Sequence, residues 1–322
     1  LNARFWNLMT PDYVSNCLAW ERADQPILPP TGDGWKSVWT ANPDFVSYRG
    51  RNLLLYRANG PMAEGEVTHD RIGGAEVMRI APGELELQPL GGDLPLIDVG
   101  PEEFDSIDVL DPAAVVFKDR LWVYYSAIGP GEDSIGLAVS DDGETFTKVG
   151  RIMTGRAPDV IVKDGRISMI YQLTDASGAY QLHLAASDDG VSFGDVLSEP
   201  IFPRTPNSWD SLSIVTARLS EDDGTYYMVF GGSAYLADEP EYFGLARSSD
   251  LIHWEPHPGN PIFGCGKKGA PDGGAMWFPA LCETTDGGFA MLYEGSRGKY
   301  AFDVSSAICM AWVSRVSLAP GR

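Results

Sequence analysis

The sequence is short of most features that fix a protein's class quickly. Its four cysteines (Cys17, Cys265, Cys282, Cys309) lie far apart and form no Cys-x-x-Cys pair. That argues against a zinc site and makes buried thiols the default, with one bridge such as Cys17 to Cys265 left open. The four histidines (His69, His183, His253, His257) are too scattered for a metal cluster, so no metal ligands are expected. Positive charge is scarce: 24 Lys and Arg stand against 45 Asp and Glu, a formal net charge of −21. Nucleic acid and anionic membrane surfaces are bound mainly through Lys and Arg, so neither is an expected partner. No apolar run is long enough to span a bilayer, and the start has no signal-like n-region and h-region. A cytoplasmic home is the expectation, or a secreted one if a signal peptide was trimmed ahead of Leu1. No amphipathic helical period extends past the first twenty residues, which hold at most a turn of helix.

What is abundant is the aromatic and β-branched strand pattern, and it repeats. Asp111-Pro112-Ala113-Ala114-Val115-Val116-Phe117, a turn at Lys118-Asp119, and Arg120-Leu121-Trp122-Val123-Tyr124-Tyr125-Ser126 read as strand, hairpin, strand. Four other stretches follow the same plan: Asn42 to Ala58, Ala157 to Gln172, Ser213 to Gly231 and Trp277 to Glu294. Between them lies a second repeat, Ile135 to Phe146, Leu182 to Phe193 and Phe243 to Trp254, each a strand, an Asp- or Gly-bearing turn and an aromatic. These supply outer strands. The expected fold is all-β, a five-bladed β-propeller with four-stranded antiparallel blades. Trp20 to Leu28 resembles Trp254 to Phe263, the outer edge of the fourth blade, so the amino-terminal segment should complete the fifth blade and close the ring. One domain would then span residues 1–322.

In a propeller the first residues of each inner strand and the last residues of the second strand meet at one funnel mouth. Counting back from the Tyr that closes each hairpin gives Asn42, Asp111, Ala157, Asp210 or Ser211, and Trp277 at the first position. The second position reads Arg57, Ala127, Leu173 followed by Thr174 and Asp175, Ser233 with Tyr235, and Glu294 with Arg297. Asp44 and Asp159 share a strand face with Asn42 and Ala157. Asp111, Asp210, Glu294, Asp44 and Asp159 are therefore the candidate catalytic carboxylates, with Arg57 and Arg297 nearby. Asp44 and Asp159 are equally suited to bonding backbone amides of the next blade. Paired carboxylates are what glycosidic bond cleavage requires, one protonated and one ionised, and crowding raises the pKa of at least one. Trp209, Trp277 and Tyr235 are candidate sugar platforms. Long loops at 59–70, 92–110, 202–212, 234–241 and 264–276 should shape the site.

The Asp111-Pro112 hairpin, Ala157-Pro158-Asp159-Val160-Ile161 and Asp222-Asp223-Gly224-Thr225-Tyr226-Tyr227 resemble the five-bladed glycoside hydrolases of family 43. That resemblance covers nearly the whole chain in short motifs. It implies a general-base role for Asp111, a pKa-tuning role near Asp210 and an inverting outcome. Where that family carries a Glu before the Pro of a later blade, Trp277-Phe278-Pro279 has none, so either Glu294 or Asp272 substitutes as the acid or the acid is lost. Asp210 is followed by Ser211 and not by Pro. The chain also resembles the mannoside phosphorylases and hydrolases of family 130 through Asn42-Pro43, Leu55-Tyr56-Arg57-Ala58, Asp111-Pro112 and Trp277-Phe278-Pro279. In that family the Asp before Pro donates the proton, and a phosphorylase needs cations for phosphate. Arg57 is one candidate, but Ala113 stands where an Arg is expected. Hydrolysis of a small glycoside or oligosaccharide is thus expected ahead of phosphorolysis, with a non-catalytic sugar-binding propeller as the reading from another class. No cofactor is required, the central channel would accommodate a structural cation, and the partner is a carbohydrate.

Overall fold

The computed structural model describes residues 3–9, 20–298 and 306–313. Helix α1 (Ala3–Leu8) and strand β1 (Glu21–Arg22) precede the first sheet. Blade I comprises β2 (Trp39–Tyr48), β3 (Arg51–Gly60), β4 (His69–Ala81) and β5 (Glu84–Pro89). Blade II comprises β6 (Asp108–Phe117), β7 (Arg120–Ile128), β8 (Ser134–Ser140) and β9 (Phe146–Thr154). Blade III is β10 (Arg156–Lys163), β11 (Arg166–Thr174), β12 (Tyr180–Ser187) and β13 (Gly194–Asp195). Blade IV is β14 (Ser213–Asp222), β15 (Thr225–Ser233), β16 (Tyr242–Ser248) and β17 (Glu255–Pro256), with β18 (Phe263–Gly264) also on β16. Blade V runs β19 (Ala275–Glu283), β20 (Phe289–Ser296), β21 (Ala307–Val313) and finally β1. The first strands touch in ring order, β2 to β6 to β10 to β14 to β19 and back to β2. The protein is a five-bladed antiparallel β-propeller.

Middle strands are buried on both faces, so they read as apolar runs rather than alternations. In β3, Leu53 and Leu55 pack with Val109, Leu121 and Val123 of blade II, while Leu54 and Tyr56 pack with Ala290, Leu292 and Met310 of blade V. Each blade thus buries its two faces on its two neighbours, and five such interfaces form the core. The outer-strand repeat has a local cause. Ser140, Ser187 and Ser248 hydroxyls accept the amides of Gly143, Gly190 and Leu251, and Asp142, Asp189 and Asp250 accept the next amides of each turn. These side chains close the turns without help from the sheet.

Closure follows the sequence expectation: Glu21 pairs with Trp312 and Arg22 with Ala311. Arg22 adds side-chain bonds to Asp272 and to the Gly264 carbonyl of blade IV, and its guanidinium lies 3.8 Å from the Phe263 ring centroid. Cys17, the suggested partner of Cys265, lies outside the described residues. Among the described residues no helix is long and apolar enough to cross a membrane.

Candidate active site

Every inner strand is broken once, at the same place. Register shifts fall between Ala41 and Asp44, Leu110 and Ala113, Arg156 and Asp159, Val215 and Arg218, and Trp277 and Ala280. At each bulge one residue adopts positive φ: Asn42 (49°), Asp111 (53°), Ala157 (45°), Thr216 (47°) and Phe278 (51°). All five face one cavity of about 520 Å³ at the mouth of the ring, and they form its floor. Opposite the residue before each bulge stand Arg57, Ser126, Gln172, Gly231 and Glu294, a second ring of which Arg57, Gln172 and Glu294 line the cavity. A bulge re-aims side chains that a regular strand would alternate away, which is how one strand position serves a site five times.

This ring corrects the count made from sequence. Asn42, Asp111 and Ala157 stand where expected, but blade IV contributes Thr216 in place of Asp210 or Ser211, because β14 runs on to Asp222 before it turns. In blade V the floor residue is Phe278 rather than Trp277. Trp277 still lines the wall, its indole donating to the Asp238 carbonyl at 2.5 Å. In the second ring Ser126, Gln172 and Gly231 replace Ala127, Leu173 and Ser233, whereas Arg57 and Glu294 hold the expected places.

Asp111 is 1 % exposed, and both of its carboxylate oxygens are held. Asn42 Nδ2 donates to Oδ1, and Ser126 Oγ donates to Oδ2 at 2.7 Å while accepting the Ala157 amide of blade III at 2.7 Å. Three blades therefore fix one side chain. Glu294 is 5 % exposed and hydrogen-bonds Ser306. Burial pushes its carboxyl up to about 7; Arg57 and Ser306 pull against this, and Asp111 and Asp70 add to it. Burial alone would pull Arg57 down, but its ion pair with Asp70 outweighs that and keeps it cationic. Asp70 is itself anchored by Trp39 Nε1 at 2.8 Å and Asn59 Nδ2 at 3.2 Å.

The opposite wall comes from the loop 234–241 and from Arg156. Arg156 Nη1 donates to Tyr180 Oη at 2.9 Å, and Nη2 lies 3.6 Å from Asp238 Oδ2. Burial pushes the Asp238 carboxyl up, offset by Arg156 and reinforced by Asp111. Its side chain keeps 38 % of its surface exposed, so solvent softens that push. Sequence reasoning missed Asp70, Asp108, Arg156, Gln172, Asp238 and Glu239. The only signal for Asp238 and Glu239 was the length of their loop. Loops 59–70 and 92–110 contribute Asn59, Thr68, Asp70, Asp108 and Leu110, while 202–212 and 264–276 contribute no lining residue.

Seven candidates lie off the cavity. Asp44 and Asp159 sit beneath the floor on the channel axis, where Asp44 Oδ2 accepts the Ala114 amide at 2.7 Å and Asp159 Oδ2 accepts the Leu219 amide at 2.5 Å. Both face the Arg218 guanidinium. Asp210 is buried in the turn before β14, held by Thr205 Oγ1 at 3.0 Å. Trp209 is a core ring stacked on Phe230, and a Cβ on Gly232 would lie 2.3 Å from it. Asp272 is taken by Arg22 and by Tyr293 Oη at 2.8 Å. Tyr235 is 72 % exposed on the loop surface, and Arg297 is exposed just past β20. Among the described residues no group of three or more His, Cys, Asp or Glu is disposed to hold a metal ion.

Several buried polar atoms of cavity residues have no partner among the described residues: Asn42 Oδ1, Asn59 Oδ1, Gln172 Oε1 and Nε2, Thr216 Oγ1, Arg57 Nε and Arg156 Nε. Buried polar groups are normally paired, and such a concentration of exceptions befits a site whose ligand is rich in hydroxyls.

Known proteins agree on the architecture. No family model matches the chain. A curated xylosidase/arabinosidase from Bacteroides ovatus is 27 % identical over 151 residues, which is 38 % of this chain and 43 % of that protein's length. A solved glycosyl hydrolase from Bacteroides ovatus superposes with a TM-score of 0.71 at 15 % identity, covering 95 % of this chain and 96 % of the other. The β-1,2-mannobiose phosphorylase from Listeria innocua, solved with β-1,2-mannobiose, gives 0.69 at 15 % identity over 93 % and 98 %. At these identities the solved structures establish a shared fold.

Proposed function

We propose that the protein hydrolyses the glycosidic bond of a small neutral glycoside, using one propeller domain. The observation that carries this reading is the pairing of Asp111 and Glu294 in one cavity beside Arg57, with Glu294 protonated up to about pH 7. Glu294 is the proton donor to the departing glycosidic oxygen. Asp111, an acceptor at both oxygens, orients and activates water. Water attacking directly in a single displacement inverts the anomeric centre. Similar proteins named as glycosyl hydrolase, xylosidase/arabinosidase and mannobiose phosphorylase support action on glycosidic bonds.

The charge balance of the cavity favours water over phosphate as the nucleophile. Asp70, Asp108, Asp111, Asp238, Glu239 and Glu294 line it, against Arg57 and Arg156, each of which already faces an acid. An incoming phosphate dianion would meet like charge. The test is a screen of aryl arabino-, xylo-, fructo-, galacto- and mannosides with wild type and Asp111→Asn, with and without inorganic phosphate. Phosphate-independent release by wild type, slowed by about 10²–10⁴ in the variant, is the expected result. Phosphate-dependent release would make the protein a phosphorylase, and sugar binding with no turnover would make it a lectin.

A further inference from the structure

The five floor residues are held in a conformation that L-residues seldom adopt, and Thr216 and Phe278 are β-branched and bulky. Each such residue costs roughly 1–3 kcal/mol and persists only where its surroundings over-determine it. The structure offers one group that touches all five blades behind the floor. Arg218 of blade IV is 6 % exposed at the channel axis, two residues past Thr216. Its Nη2 donates to the Pro43 carbonyl at 3.0 Å and to the Pro112 carbonyl at 3.0 Å, and Nε reaches Pro43 again at 3.3 Å. Its Nη1 donates to Asp159 Oδ1 at 3.1 Å, Nε lies 3.7 Å from Asp44 Oδ1, and the guanidinium carbon is 4.8 Å from the Phe278 ring centroid. Pro43 and Pro112 are the residues directly after Asn42 and Asp111, inside the bulges, where the ladder pairing is interrupted.

We infer that Arg218 is a positioning residue for the site: by tying the peptides behind Asn42 and Asp111 to one planar group, it sets the direction in which Asp111 faces the substrate. This rests on the proposed role of Asp111. The planar fork is essential to the argument, because it serves two carbonyls and a carboxylate at fixed angles, and a lysine ammonium is a compact point charge that cannot. An ion pair that only stabilised the channel would need the charge and not the fork.

The experiment compares Arg218→Lys with Asp44→Asn, which weakens the ion pair but leaves the carbonyl bonds. Positioning predicts that Arg218→Lys lowers kcat by about 100-fold, the loss typical of a misplacement near 1 Å, with KM within a few-fold. Asp44→Asn should lose stability and keep kcat within a few-fold. Equal kcat losses in both variants, or none in Arg218→Lys, would overturn the inference. If Arg218→Lys does not fold, Arg218→Gln, which can still reach one proline carbonyl but carries no charge, is read by its crystal structure alone. A crystal structure of the folded variant decides the matter without any substrate. Displaced bulges at Asn42 and Asp111 support positioning, and an unmoved Asn42–Asp111 bond overturns it. A wild type that turns over no glycoside would defeat the proposed reaction and leave this structural arm standing.

Discussion

Asp111 and Asp44 are both buried acids beside the propeller axis, and they differ by depth. Asp111 occupies the bulge of blade II and faces the cavity. Asp44 stands two residues past Asn42, where the ladder of blade I resumes, and its Oδ2 accepts the Ala114 amide of blade II. Asn42 to Asp111 and Asp44 to Ala114 thus stitch blades I and II at two levels beside the axis. On an inner strand, a carboxylate faces the cavity where the bulge turns it there, as at Asp111. Below that level backbone amides and Arg218 absorb its bonding capacity.

The largest effect should come from breaking the upper member. Asp111→Asn keeps the shape and is expected to lower kcat/KM by about 10²–10⁴, the usual worth of general acid–base catalysis, with little change in urea denaturation. The lower layer should respond in stability as well as in turnover. Arg218→Met leaves Asp44 and Asp159 buried without the cation that faces both, and chemical denaturation should show a loss of about 3–5 kcal/mol.

Glu294 links the two behaviours, since it faces the cavity yet is as buried as the axial acids. Its unfolded carboxyl ionises near 4.5 and its folded one near 7, so the contribution of Glu294 to stability is full below 4.5 and is lost as pH rises through 7. Glu294→Gln removes that loss. Its stability relative to wild type should rise by up to about 3 kcal/mol between pH 4.5 and 7.5, read by thermal melts across pH. The smallest effect is expected at Tyr235→Ala. That ring is 72 % exposed and does not line the cavity, so turnover should stay within about twofold and stability within a few tenths of a kcal/mol.

Legibility in the sequence follows the same division. The fold could be read because middle strands buried on both faces leave unbroken apolar runs, and because serine–aspartate turns recur between them. Asn42, Asp111 and Ala157 could be placed because each precedes a proline and stands six residues before the end of its strand. Thr216 has no proline after it, and the longer turn of blade V shortens the count to Phe278, so both were misassigned. Arg218 lay inside what reads as a strand interior, where sequence gives no sign that a guanidinium crosses the axis. Arg156 lies at a strand start and Asp238 in a loop without periodicity, and only the folded chain brings them together.

The central claim is that Glu294 gives the proton and Asp111 accepts one. The most direct test is the pH dependence of kcat/KM for wild type beside Glu294→Gln. The account predicts a wild-type rate that falls tenfold per unit above about pH 7, and a variant that is slower and lacks this limb. An identical alkaline limb in Glu294→Gln would contradict it.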